Sequence, residues 1–420
     1  MQKPTWALAL LFPASLAAAF LLAACGSIAV SGASANTTIG NNPAPAAPTQ
    51  APAQHLAVAD AENNRILIYD APFTTDEKAS IVLGQADFTQ QQPNQGGAGP
   101  ADNTVSFPRG LAMDAAGNLY AADSGNCRVL QFQPPFVTNM DASLILGAPP
   151  NADGSCATGP AALDTPTSVA LDAHGNLWVV EANRVAEYTP PFSNGMSPSV
   201  VLGQSSASGD PCNAGAPANA SGNPPPTAAT LCNAVAAAFD LQGDLWVTDT
   251  FNGRVLEYTP PFSTGMAATL ELGVTGGQPF TSPGCSPSQA SATAVCFPQA
   301  LVFDASGNLW VTTAFNGISE FAPPFSNGMA AQMTFAQPPL NDNAPPAANT
   351  TTIPYGIFQS NNGNLLISDS GNNRVLIFAP PFGPGMKATT VIGQPNMTIG
   401  TDTPGAAANK LWYPVGVLTF

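Results

Sequence analysis

The chain has 420 residues, with 10 Lys and Arg set against 26 Asp and Glu, a formal net charge of −16 and two histidines. Such an acidic surface argues against nucleic acid and against electrostatic adhesion to anionic lipid. His55 and His174 read as solvated surface residues, because an imidazole metal centre needs several histidines converging.

Residues 1–24 read as an export signal: Lys3 near the start, a mostly apolar run from Ala7 to Leu22 broken by Pro13, then Leu22-Ala23-Ala24-Cys25. The run lacks a basic flank at its far end, which favours a cleaved signal over a transmembrane helix. Leu-Ala-Ala-Cys has the form of a bacterial lipobox, so Cys25 is expected to carry lipid at the mature N-terminus. Residues 25–54, built of Ala, Pro, Ser, Thr, Asn and Gly around a stretch without charge, read as a flexible tether. These features predict a lipid-anchored protein of the bacterial cell envelope, with Gly26 after the Cys favouring the outer membrane, facing either periplasm or surface.

From His55 onward one phrase recurs six times: an apolar strand, a short Asn/Gly turn, a second strand usually opened by Arg, and a Pro-Phe turn. It reads "VADAENNRILIYDAPF" from Val58 and "ISDSGNNRVLIFAPPF" from Ile367, and the turn ends at Phe73, Phe136, Phe192, Phe262, Phe325 and Phe382. An upstream hairpin such as "LVFDASGNLWVTT" from Leu301 and a downstream strand such as "SVVLGQ" from Ser199 complete units of four strands. Repeats of this length without helical period predict a six-bladed, all-β propeller over residues 55–420, with four-stranded antiparallel blades. The segment at His55 lacks an opening strand, whereas "LWYPVGVLTF" at Leu411 matches one, Pro414 and Gly416 aligning with Pro108 and Gly110. The C-terminal strand is therefore expected to enter the first blade and close the ring, removing exposed strand edges.

The units resemble those of the NHL-repeat family, which read roughly Pro-x-Gly, an apolar strand, Asp-x-x-Gly-Asn, a second apolar strand, then Asp-x-x-Asn-x-Arg. The resemblance spans nearly all of His55 to Phe420. It implies a six-bladed propeller, and such propellers include both interaction platforms and enzymes.

Beyond Cys25 there are six cysteines, an even number in a chain with an export signal, which favours disulfides. Cys212 with Cys232 and Cys285 with Cys296 would each staple one loop. Cys127 and Cys156 remain, on connections that leave a blade on the same face.

Five carboxylates end the second strands: Asp60, Asp123, Glu181, Asp249 and Asp369. Arg65, Arg128, Arg184, Arg254 and Arg374 follow them, whereas the fifth blade has Thr313 and, by sequence spacing, Ile318. Acid and arginine vanish together, which predicts structural ion pairs and not a cation site. The hairpin acids Asp114, Asp172, Asp240 and Asp304 read as turn chemistry, Trp178, Trp246 and Trp310 as inter-blade core, and the Pro-Pro-Phe turns as closing the opposite face of the ring.

Function in a ring of equivalent blades requires asymmetry. On the innermost strands Gly110, Ser168, Ala236, Ala300, Gly356 and Gly416 stay small, while the adjacent column varies: Arg109, Thr167, Val235, Gln299, Tyr355 and Val415. Arg109, Thr167, Gln299 and Tyr355 are the ligand-binding candidates at the channel mouth, beneath long inter-blade loops. The expected function is a binding scaffold for an envelope or extracellular protein, peptide or glycan. The alternative, implied by the propeller resemblance, is a metal-dependent lactonase, hydrolase or lyase in the central channel. No catalytic residue, metal ligand or cofactor is assigned, since the inner column offers neither acid nor His. A Ca²⁺ site would have to draw on loop acids such as Asp87, Asp102, Asp153 or Asp210.

Overall fold

The strands of each blade owe their form to runs of residues buried on both faces. Leu245–Asp249 and Leu365–Asp369 carry no exposed position, since each blade is sandwiched between two others. A computed structural model describes residues 55–205, 211–213, 225–273, 279–281, 291–338, 345–400 and 405–420. The export segment, Cys25, the tether, Asp210 and Cys285 lie outside the described residues.

Among the described residues, twenty-four strands form six antiparallel four-stranded sheets. Blade one joins Pro414–Thr419 to His55–Asp60, Arg65–Asp70 and Ile81–Leu83, so the last strand of the chain is the innermost strand of the first blade. Blades two to six then follow over residues 108–146, 168–202, 234–272, 298–335 and 354–392. Their inner strands neighbour one another in cyclic order, which closes the ring.

The core lies in the six seams between blades. In the seam of blades three and four, Trp178, Val180 and Leu202 meet Leu245, Val247 and Tyr258. The Pro-Pro-Phe turns also enter the seams. Each carries a cis X-Pro bond, and in three of them the Phe turns edge-on to the Trp of the preceding blade and so packs into the seam. Phe262 lies 4.7 Å from Trp178, Phe325 4.8 Å from Trp246 and Phe382 5.1 Å from Trp310. The indole also donates to the hairpin acid, as Trp246 Nε1 does to Asp240 Oδ2 at 3.1 Å. One wedge thus ties a hairpin, a blade and the next blade's turn together.

On the loop face, each acid and arginine forms a hub. Arg Nε donates to the carboxylate at 2.7 Å in Asp60–Arg65, Asp249–Arg254 and Asp369–Arg374, and at 2.8 Å in Asp123–Arg128. Arg184 donates to Glu181 through Nη2 at 2.8 Å. The second carboxylate oxygen takes a backbone N–H just before the inner strand, for example Cys232 N to Asp249 Oδ1 at 2.7 Å. The guanidinium reaches two loop carbonyls, Thr227 and Thr230 in the case of Arg254, both at 2.9 Å. Burial pushes each carboxyl up and the adjacent Arg opposes it. Each carboxylate is thus already paired with a cation and tied to backbone, which favours the structural role over a metal site.

Blade five corrects the sequence alignment. Gly317, not Ile318, stands opposite Thr313, because the turn between these strands has three residues, Ala314 to Asn316, where Asp249 and Arg254 are separated by four.

Candidate functional site

Each inner strand starts at the loop face, beside the end of the second strand, as in the register of Pro108 with Asp123. The register slips there in blade two between Pro108 and Leu111, in blade five between Pro298 and Ala300, and in blade six between Pro354 and Gly356. A bulge re-aims the side chain it carries, and the bulged positions include Arg109, Gln299 and Tyr355. Just before them, Phe107, Thr165, Asn233, Phe297, Ile353 and Tyr413 all hold φ between 49 and 56°, a conformation non-glycine residues adopt at a cost.

Arg109, Thr167 and Tyr355 line one cavity of about 170 Å³ at the channel, together with Val235 and Val415. Gln299 is not in that wall. Its Nε2 turns back to the Phe297 carbonyl at 3.1 Å, and its Oε1 is buried without a partner. Thr167 Oγ1 donates to Val180 O at 3.2 Å and Ala234 O at 3.3 Å, which makes it a strand-to-strand tie. Beneath the mouth, the small column reflects contact between neighbouring blades: a Cβ on Gly110 would stand 2.5 Å from Ser168 Cα, and one on Gly416 would meet the Arg109 carbonyl.

Arg109 is the site's electrostatic feature. Its Cζ lies 5.2 Å from the Phe107 ring centroid, its Nε has no hydrogen-bond partner, and no carboxylate lies within ion-pair distance among the described residues. Tyr413 joins Tyr355 at 5.5 Å and Phe107 at 6.4 Å. Burial first, then the neighbouring Tyr355 hydroxyl, push the Tyr413 phenol above its usual range, so that phenol is neutral at physiological pH. The sequence reading missed Phe107 and Tyr413. Their signal was the aromatic residue immediately before Pro108 and Pro414.

Exposed aromatics extend around the same face. Trp412 is 39% exposed and Phe251 50% exposed, the latter 6.5 Å from Phe297, which meets Phe315 at 5.5 Å. The face is braced by the Cys127–Cys156 and Cys212–Cys232 disulfides; Cys296 is also disulfide-bonded.

The divalent cation that a lactonase or lyase reading implies does not fit this channel. Its described lining contains neither carboxylate nor imidazole. Asp87 and Asp153 close their own loops, on Thr89 N at 2.7 Å and Ser155 N at 3.0 Å. One cluster of three carboxylates, Asp240, Asp244 and Glu257, brings oxygens within 4.8 Å of one another, but on the hairpin side, away from the loop face. Desolvation first, then Asp244, push Glu257 up to about 7. His55 pairs with exposed Asp70 at 2.9 Å, and His174 sits in its hairpin turn.

The comparisons with known proteins come to the fold. No curated protein matches the chain. Similar solved structures include a gluconolactonase from Xanthomonas campestris, at 15% identity over 84% of this chain and 88% of that one, TM-score 0.41. A periplasmic gluconolactonase from Pseudomonas aeruginosa is 12% identical over 87% and 98%, TM-score 0.44. Virginiamycin B lyase from Staphylococcus aureus is 14% identical over 66% and 70%, TM-score 0.33. The NHL repeat model matches residues 106–132, the segment running from Ser106 into the third strand of blade two. With that match and six blades of one design, the chain is an NHL-repeat six-bladed β-propeller.

Proposed function

We propose that the loop face binds a carboxylate-bearing ligand at the channel mouth, and that the protein works as an exported, lipid-anchored recognition propeller. The observation that carries this reading is Arg109: a half-buried guanidinium stacked on Phe107, beside Tyr355 and Tyr413, without a carboxylate of its own. A guanidinium held this way presents its remaining donors as a fork to a planar anion. The flanking rings supply a surface for the flat or apolar body of the same ligand, as in a peptide C-terminus.

The alternative is a metal-dependent lactonase, hydrolase or lyase in the central channel, the kind of activity borne by the solved structures named above. A channel wall whose described residues include neither carboxylate nor imidazole supports binding over that chemistry.

Titration of the protein with N-acetylphenylalanine and with its carboxamide tests the proposal. The acid is expected to bind at least about tenfold tighter than the amide, a preference that Arg109→Met should abolish. Equal affinity of acid and amide would overturn it. Hydrolysis of gluconolactone that disappears on chelation, with stoichiometric Ca²⁺ or Zn²⁺ by elemental analysis, would replace it with the enzyme reading.

A further inference from the structure

The seam between blades five and six departs from the others in charge and packing. The acid is Thr313, the arginine position is Gly317, and the turn has three residues where blades one, two, four and six have four. A side chain at Gly317 would collide with the Phe335 carbonyl, at 2.5 Å from an added Cβ, so an arginine has no room to start there. In compensation, Asn316 Nδ2 donates to Ser291 O at 3.3 Å and Ala294 O at 3.0 Å. These are the counterparts of the two carbonyls that Arg254 Nη2 holds in blade four. Gln337 is released as well. Gln85, Gln204 and Gln394 donate to the turn carbonyls of Asn64, Asn183 and Asn373, whereas Gln337 points outward to Thr334 Oγ1.

These changes leave a cavity of about 720 Å³ on the outer rim of that seam. Its polar wall is made by Ser291, Asn316, Gln332, Thr334, Gln337 and Asn349, its apolar floor by Met333 and Phe335, and among the described residues no charged side chain lines it. Asn316 is 6% exposed, and its Oδ1 has no hydrogen-bond partner. A buried acceptor without a donor is destabilising, and a ligand hydroxyl that meets it on a small turn of the Asn316 amide relieves that cost.

We infer that the cavity between blades five and six is a binding site for a neutral, polyhydroxylated ligand, a mono- or disaccharide. Amide and hydroxyl side chains both donate and accept, as sugar hydroxyls do. A cation or anion placed there would meet no countercharge among the described residues and would pay its desolvation unrelieved. The volume lies within the range of small-molecule pockets. Its chemistry is opposite to that of the channel mouth, where a charge seeks a charge.

Saturation-transfer NMR and calorimetry with glucose, N-acetylglucosamine, maltose and cellobiose test the assignment on the intact propeller. At least one of these sugars should bind, and Ala292→Trp, which places an indole at an exposed position of the wall, should weaken it by at least about tenfold. Gln332→Trp, at a second exposed wall position, should do the same, so the result does not hang on one variant. Arg109→Met should leave sugar binding unchanged, which separates this site from the channel mouth. Absence of binding by all four sugars, or affinity that survives both tryptophans, would overturn the assignment. Agmatine binding in their place at the same variants' expense would overturn the neutral class.

Discussion

Arg254 Nε donates to Asp249 Oδ2 at 2.7 Å, and both side chains are sealed from solvent. Asn252 Nδ2 adds a bond at 2.8 Å to the same oxygen, so the acid ties the turn, the following strand and the start of the inner strand to one point. Asp249→Asn and Arg254→Met should each destabilise by about 3–5 kcal/mol, since each leaves a buried group without its partner. The double variant should cost less than the sum, with a coupling of about 0.5–3 kcal/mol by chemical denaturation. Strict additivity would show that the two residues act independently.

Tyr69, Tyr188 and Tyr258 stand at the far end of the third strands of blades one, three and four, Tyr69 one residue before the last, where Phe132, Phe321 and Phe378 stand elsewhere in the ring. The Tyr258 hydroxyl is buried without a partner. Tyr258→Phe should therefore raise stability by about 1 kcal/mol, by removing a polar group that burial has stripped of water. A melting temperature below the parent's would reveal a bond to that hydroxyl.

Glu257 stands cross-strand from Trp246, where blade two has Gln131 opposite Tyr120. Its carboxyl rises from the ordinary 4.5 to about 7, so the folded protein keeps a proton that the unfolded chain releases across that window. Stability is then full at acidic pH and falls as pH rises from about 4.5 towards 7. Glu257→Gln should flatten that slope by about 1 kcal/mol, given how far solvent screens the group. Asp244→Asn should flatten it too, because Asn118, Asn176 and Asn308 donate to their hairpin acids at 2.7, 2.8 and 2.9 Å from the equivalent place. Identical pH profiles for parent and Glu257→Gln would refute the raised Glu257 carboxyl.

Leu418 is buried between blades one and two, on the strand that the C-terminus lends to blade one. Leu418→Ala should cost about 2–5 kcal/mol. Deleting residues 411–420 should lower the stability of the whole propeller, since the inner strands of blades two and six lose their shared neighbour. A truncated protein melting cooperatively at the parental temperature would contradict ring closure by this strand.

The lipid anchor rests on the sequence alone. Cys25→Ala should move the protein from the membrane fraction to the soluble one with its folded-state melting unchanged, and unaltered fractionation would reject lipidation.

Blade number, strand order and closure were legible because each blade repeats the same local code: alternating apolar strands, an Asp-x-x-Gly-Asn hairpin and a Pro-Phe turn. Six copies act as their own comparison, so the joint loss of acid and arginine in blade five stood out without a second sequence. Turn length was less legible. A turn shortened by one residue shifts every later pairing, and only the hydrogen-bonded register showed that Gly317, not Ile318, faces Thr313.

The site was legible in part. Arg109 and Tyr355 were visible as exceptions in a column, yet Gln299 from the same column turns out of the wall, and Phe107 and Tyr413 enter from the column before it. A local code fixes what each blade is, because its strands and turns depend on residues within about thirty positions. What meets at the mouth and in the seams depends on side chains from different blades, brought together by a bulge or released by a short turn. Those contacts belong to the closed ring, and only the tertiary structure decides them.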